Sequence, residues 1–427
     1  HPDNSPEHAT LAQRLYGGDD STRIRQEYLL GVGGIRALKA LGVWPLQGIH
    51  LNEGHCAFAA LEMLDQGWTR NELKDRSLFT THTPVPAGHD RFSWQEMKAV
   101  LGKLLPDDAQ QLAGLDRASM SHLAISLCGS ANAVSNLNAH VASGMFPEHH
   151  IQPITNGAHH ITWTSGPMAE LYDEQIAGWR KDPLLLSHAG LIPTPELVVA
   201  RDKSRAILRD IVQSMSGVEL HEDRLTIGFA RRFATYKRAD LVFHDLERLR
   251  QMGTGKMQFV FAGKAHPKDE GGKTLIRKIH AAAKKLGDDI PVVFLEDYSM
   301  ATGLAMTSGV DVWMNNPVRP MEASGTSGMK AVMNGVPNCS ILDGWWPEGC
   351  QHGVNGWAVG NSDDERDDER DNRDLLDSLE NEVLPAWDSG DEIWGGFCRA
   401  AISTSARFTA ARMLDEYVRI YRSFSSS

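Results

Sequence analysis

Cysteine, basic charge and unbroken apolar runs are all scarce in this chain of 427 residues, and each scarcity narrows what it can be. The five cysteines, Cys56, Cys128, Cys339, Cys350 and Cys398, are scattered, odd in number and never spaced as CxxC, which implies neither a disulfide framework nor a zinc site. Lys and Arg number 43 against 55 Asp and Glu, a net charge of −12, so a nucleic-acid or anionic-membrane partner, which rewards a basic face, is not expected. Part of the acidic excess lies in residues 363–374, where Asp-Asp-Glu-Arg occurs twice in tandem and reads as a duplicated solvated loop. No stretch has the apolar length needed to cross a bilayer, and His1 to Pro6 are polar rather than a leader, so the expected location is cytoplasmic. Internal repeats and the dinucleotide glycine signature are missing too. Gly272-Lys-Thr274 ends like a P-loop, but Pro267 stands where the leading glycine is required. Asn338-Cys-Ser340 is a formal glycosylation triplet, yet it falls in a predicted strand of a chain with no secretory signal. Glu53 and His55 offer two metal ligands without a third, so no metal is expected and the turn reads as a strand-to-helix junction with polar caps.

What is present, 41% hydrophobic and 23% charged residues, suffices for two ordinary cores. Helical spacing runs from Ser5 to about Leu41, and Gln47–Leu51 reads as a buried strand leading into a helix. Ser77 to Gly88 reads as a strand ending in a loop that Pro84 and Pro86 stiffen, which fixes His82 at the strand's C-terminal end. After helical material to about Gly217, strands and helices alternate. Strands are predicted at Leu225–Ala230, Met257–Ala262, Pro291–Leu295, Val310–Met314 and Pro337–Leu342, with helices at Lys237–Arg250, Lys273–Lys285, 299–308 and 325–334. That pattern argues for a parallel sheet covered on both faces, a Rossmann-like domain. A last helix is predicted over Phe397–Phe424.

Two stretches carry chemistry. In Met321-Glu-Ala-Ser-Gly-Thr-Ser-Gly-Met-Lys330, small residues precede a helix, so unpaired amides can close on a phosphate. Lys330 lies four residues after Thr326, one turn along the same face, where it can hold the other end of a small cofactor. Pyridoxal phosphate has that layout, and proteins bind it through a lysine Schiff base. Taken alone, the stretch reads more readily as a flexible loop with a solvated lysine. In Phe229-Ala-Arg-Arg-Phe-Ala-Thr-Tyr-Lys-Arg238, four basic residues fall within eight positions at the end of a strand and the start of a predicted helix. Positive charge there opposes the helix dipole, which favours a bound anion.

Glu322-Ala-Ser-Gly-Thr, with Met329 and Lys330, resembles the E-A-S-G-T-x-x-M-K pattern of the α-glucan phosphorylases, pyridoxal-phosphate glycosyltransferases that include the glycogen, starch and maltodextrin enzymes. Ser327-Gly328 and the Asn315-Asn-Pro317 lead-in resemble the family's short bacterial branch. The resemblance extends from about Leu11 to the last helix. Leu15 to Asp19 and Arg23 to Tyr28 are similar to the segment leading to the active-site mouth and subunit contacts. It begins partway through the family's first domain, so the chain reads as the later part of a longer protein, with a substrate-phosphate glycine loop expected in the missing start.

The resemblance implies a fold of two Rossmann-like α/β domains facing a cleft (the GT-B plan), the first incomplete over residues 1–157, the second over 158–427, with the last helix crossing back. It implies retaining phosphorolysis of glycogen or maltodextrin by inorganic phosphate to α-glucose 1-phosphate, and it leaves a homo-oligomer open. Lys330 would carry the cofactor, with Arg231, Thr326, Ser327 and Tyr298 around it. Arg232 and Lys237 would hold the substrate phosphate. The sugar would meet His82, Asn156, Tyr236, Glu322, Ser324 and Gly325. The chain departs from the family at Ala234, Thr235 and Ser299 and within Ala131–Leu137, and nothing is carried over to Ser299. Two other classes stay open: a GT-B glycan synthase using a nucleotide sugar, which has no need of Lys330, and an inactive glucan-binding or regulatory relative.

Overall fold

The computed structural model describes residues 3–13 and 19–424, so Leu15 to Gly18 of the segment likened to the active-site mouth lie outside the described residues. The chain forms two compact units, one running up to Ile154 and including the stretch from Asp415, the other Thr155–Leu414. Among the described residues, no helix is long and apolar enough to cross a membrane.

In the first unit, β1 (Ile49–Asn52), β2 (Ser77–Thr81), β5 (Ser130–Ala133) and β6 (Ile151–Pro153) form a parallel sheet in that order, and β3 (Arg91–Phe92) pairs antiparallel with β4 (Ala118–Ser119). In the second unit, β7 (Leu225–Ala230), β8 (Met257–Ala262), β9 (Val292–Leu295), β10 (Val312–Asn315), β11 (Asn338–Ile341) and β12 (Gly356–Val359) form an all-parallel sheet ordered β12-β11-β10-β7-β8-β9. Every residue of β7 and β8 is buried, as expected where helices cover both faces of a parallel sheet. The helix Glu270–Leu286 shows how: Leu275, Ile279, Ala282 and Leu286 recur at helical spacing and face the core.

Three sequence-based expectations are corrected, and one strand is added. The predicted helix Lys237–Arg250 is instead two 3₁₀ turns, Thr235–Lys237 and Leu241–Phe243, followed by the helix Leu246–Gly253. Arg238 ends the first turn because it takes a left-handed conformation (φ 44°), so the basic stretch opens no helix and the dipole argument does not apply to it. The acidic run is a solvated loop only in its first half. Asp367 accepts the amides of Glu369 and Arg370 and caps the helix Asp368–Ser378, whose acidic first turn suits the positive end of the helix dipole. The last predicted helix is broken into Asp391–Ser405, a turn at Ala406–Phe408, and Ala410–Ser423, because Thr409 is extended and flanked by hydrogen bonds of Ala158 to Phe408 and Ala410. Finally, β12 is a strand that the periodicity did not disclose.

A buried polar chain fixes the end of the described polypeptide in the first unit. The Thr80 hydroxyl donates to Asn132 Oδ1 (2.5 Å), and Asn132 Nδ2 donates to the Tyr417 hydroxyl (3.1 Å). His50 Nε2 meets Thr80 Oγ1 at 2.6 Å, and Nδ1 meets the Tyr421 hydroxyl at 2.7 Å. Since the Thr80 proton goes to Asn132, His50 donates from Nε2 and accepts the Tyr421 proton at Nδ1. This requires a neutral ring. Burial, and next the charge of His82, lower the pKa of His50 to about 4.

Tyr421→Phe removes the donor to Nδ1 of half-buried His50 and is expected to cost about 0.5–1.5 kcal/mol in urea denaturation. The ordinary histidine value is 6.5, so below it the unfolded chain takes up a proton that folded His50 refuses. His50 therefore adds stability that is present above pH 6.5 and lost as pH falls through about 4. A urea midpoint unaffected by Tyr421→Phe, or a contribution that grows on acidification, contradicts this assignment.

Candidate active site

The site is built where β7 and β10, neighbours in the sheet, release their C-terminal loops, the edge at which open parallel sheets bind ligands. After β7, the Arg231 and Phe233 amides donate to the Ala262 and Lys264 carbonyls, and buried Phe233 anchors the turn. After β10, the Val318 amide donates to the Tyr236 carbonyl (2.7 Å), which ties the two loops together.

Between them lies Glu322. Its Oε2 accepts from Arg231 Nη2 at 2.6 Å and from Lys237 Nζ at 2.7 Å. All three side chains are at least nine-tenths buried. Burial alone would raise the Glu322 pKa, but the Arg231 and Lys237 charges and hydrogen bonds outweigh it and hold the carboxyl below its ordinary value. Burial, then the Arg231 charge, brings Lys237 down to about 8, against the pull of Glu322. At neutral pH the cluster is two cations around one carboxylate. The four basic residues thus divide. Arg232 is exposed, while Arg238 is buried in a structural role, donating to the Asn316 and Pro317 carbonyls and pairing with Asp368 and Asp371. Counting Arg238 in the anion site was wrong.

The Glu322 amide donates to Asp343 Oδ2 (2.9 Å) and the Trp345 amide to the Ser324 carbonyl (2.8 Å), so residues 343–345 grip this loop. Gly325 then takes a left-handed conformation (φ 81°) and starts the helix Thr326–Val332 with no side-chain cap. Two turns make a small dipole. Any anion there is held by the individual first-turn amides of Thr326 and Ser327. Gly328 has to be glycine, since a Cβ would lie 2.5 Å from Asn338 Oδ1 and 3.0 Å from Trp345 Nε1. Ser327 Oγ accepts from Trp313 Nε1 at 3.3 Å.

Lys330, on that helix, is half-buried, with Nζ 3.5 Å from the centre of the Trp163 ring. Among the described residues no carboxylate pairs with it, and burial lowers its pKa. Buried Asn334 bonds both partners, donating to the Trp163 (2.7 Å) and Lys330 (2.9 Å) carbonyls and accepting from the Ser165 amide (2.8 Å). Trp163, Asn334 and Asp343 were not singled out from sequence. The Asp-Gly step after a predicted strand hinted at Asp343, but no local signal marks the other two. Among the described residues, Arg231 Nη1, Ser324 Oγ and the Asn316 carboxamide are buried without a hydrogen-bond partner.

Of the other expected site residues, Tyr236 is half-buried with Lys237 Nζ 4.8 Å from its ring centre, and Tyr298 packs its hydroxyl against Gly303. Asn156 is half-buried, and its carbonyl accepts from Arg412 (3.1 Å). His82 belongs to the first unit. Its amide donates to Glu53 Oε2 (2.5 Å), and burial, then the charge of His55, lowers its ring pKa to about 4. Glu53 is left-handed (φ 72°) and gives the following turn no side-chain cap; its half-buried carboxylate accepts from the His82 loop instead. Among the described residues, no three His, Cys, Asp or Glu side chains are grouped to hold a metal.

Comparison with known proteins identifies the family. The carbohydrate phosphorylase family matches residues 91–348. The chain is 39% identical to a maltodextrin phosphorylase of Thermococcus litoralis, over 98% of this chain and 56% of that protein. It is 36% identical to a glycogen phosphorylase of Aquifex aeolicus, over 99% of this chain and 69% of that protein. A glycogen phosphorylase of Mycobacterium tuberculosis is 33% identical over 98% and 56%. The chain thus spans little more than half the length of two of these relatives. The match covers well over half of the chain, including the loops that carry Arg231, Lys237, Glu322 and Lys330, and the chain belongs to the carbohydrate phosphorylase family.

Proposed function

We propose that the protein containing this chain is a retaining α-1,4-glucan phosphorylase that splits glycogen or maltodextrin with inorganic phosphate and releases α-glucose 1-phosphate, with pyridoxal phosphate carried on Lys330. The observation that carries the reading is Lys330 itself: a half-buried amine with lowered pKa and no carboxylate partner among the described residues, one turn after the Thr326 and Ser327 amides. Such an amine suits an aldehyde.

The donor set fits the cofactor's other end. Arg231, with a buried unpartnered nitrogen, and the first-turn amides suit its phosphate, and Tyr298 would line its ring. When bound, the cofactor would supply a second phosphate able to exchange a proton with inorganic phosphate.

The chain's own side chains would do the rest. Arg232 and Lys237 would bind the transferred phosphate by charge-assisted hydrogen bonds and keep its oxygens aimed at the glycosidic oxygen. Ionised Glu322 would accept a sugar hydroxyl, with Ser324 Oγ, the Gly325 main chain, Asn156 and Tyr236 beside it. His82 is neutral above pH 4 or so and would bind a hydroxyl as an uncharged partner. With phosphate both protonating the leaving oxygen and capturing the glucosyl group on the same face, the anomeric configuration is retained without the carboxylate pair of a glycosidase.

Borohydride reduction of the cofactor-loaded protein followed by peptide mapping should place the label on Lys330. Label on another lysine, or none in folded protein, sinks the assignment.

Arg232→Ala and Lys237→Ala should each raise the KM for phosphate by somewhat over tenfold, the loss of a charge-assisted contact of about 1.5–3 kcal/mol, with little change in the KM for maltodextrin. Lys237 loses its proton as pH rises through about 8, so affinity for sulfate, which does not titrate there, should fall above that pH. Lys237→Arg should remove the inflection. A raised maltodextrin KM with unchanged phosphate saturation would contradict the placement.

A further inference from the structure

Glu322 has more partners than a sugar-binding role requires. A single oxygen, Oε2, holds both Arg231 and Lys237, and the carboxylate is the counter-charge that lets two cations stay buried side by side. The same cations are the ones the proposed function gives to phosphate groups. An anion entering the site therefore competes with a carboxylate of the chain itself. The competition is incomplete: one positive charge is left over, and Arg231 Nη1 and Ser324 Oγ are buried without partners, donors that point to an incoming ligand.

We propose that Glu322 is the element that couples sugar binding to phosphate binding: a glucosyl hydroxyl draws the carboxylate off Lys237, the cation given to inorganic phosphate, and so opens it, while Arg231 stays with the cofactor phosphate. This rests on the functional reading above. Its backbone stays in place, because the Glu322 amide is held by Asp343 and the Ser324 carbonyl by Trp345, so only the side chain needs to turn. The titratable groups facing the carboxylate include Arg231, Tyr236 and Lys237 from the loop after β7 and Asp343 from the loop after β11. Asp343 accepts the Glu322 amide and is itself raised to about 7, by burial first, with the Glu322 charge adding to it. By linkage, a ligand that displaces Glu322 tightens phosphate by the same factor as phosphate tightens that ligand.

The test is calorimetric titration of the cofactor-loaded protein with inorganic phosphate, with and without saturating D-glucose, which offers the hydroxyls but no bond to cleave. In wild type, glucose should tighten phosphate about tenfold, the scale of one charge-assisted contact. E322Q, which removes the competing charge, should bind phosphate about tenfold more tightly than wild type in the absence of sugar, and glucose should add nothing. A merely structural role predicts the reverse sign, since a damaged site binds both ligands more weakly. Phosphate affinity in folded E322Q that equals or falls below wild type overturns the proposal. Should E322Q not fold, the wild-type titration decides alone, because an affinity independent of glucose also overturns it. A wild-type protein that binds glucose but no phosphate would instead overturn the functional reading, and the coupling with it.

Discussion

Burying two like charges a few ångströms apart is the constraint the second unit is arranged to meet. Arg231 and Lys237 are both out of water, and either alone would be costly there; one oxygen of Glu322 makes the pair tolerable. The surrounding order follows. Strand β7 delivers Arg231, the 3₁₀ turn brings Lys237 back beside it, and β10 leads to Glu322, whose amide Asp343 fixes. Removing one member of such a buried set typically costs about 3–5 kcal/mol, so a replacement charge is needed wherever one member leaves.

The site also depends on a second arginine that does no chemistry. Arg238 reaches the carbonyls of Asn316 and Pro317 and the carboxylates of Asp368 and Asp371, and thereby holds the turn after β7 to the loop after β10. The acidic run that looks like surface decoration in the sequence supplies its partners. Similarly, Asn334 joins the Trp163 segment to the helix of Lys330 by three hydrogen bonds, so the half-buried Lys330 amine is placed by a residue that carries no charge.

Much of the second unit's fold was legible because its signals are local. Leu225–Ala230 and Met257–Ala262 are continuous apolar runs between turn residues, and they form strands with those bounds. The failures share a cause. A left-handed Arg238 and an extended Thr409 break helices that periodicity would continue, and both conformations are imposed by contacts far away in sequence. The motif from Glu322 to Lys330 stands out as a string of small residues, but its bonds to Arg231 and Lys237 span 91 and 85 positions and cannot be read from spacing. Charge density marked the loop after β7 without saying which of its four cations turn inward to Glu322, which stays in water and which is structural.

The most direct test of this account is phosphorus NMR of the protein with maltodextrin and inorganic phosphate. The account predicts a growing signal of α-glucose 1-phosphate at the expense of phosphate, abolished in Lys330→Ala. Release of free glucose or maltose with phosphate unchanged, formation of the β-anomer, or full activity in Lys330→Ala would contradict it.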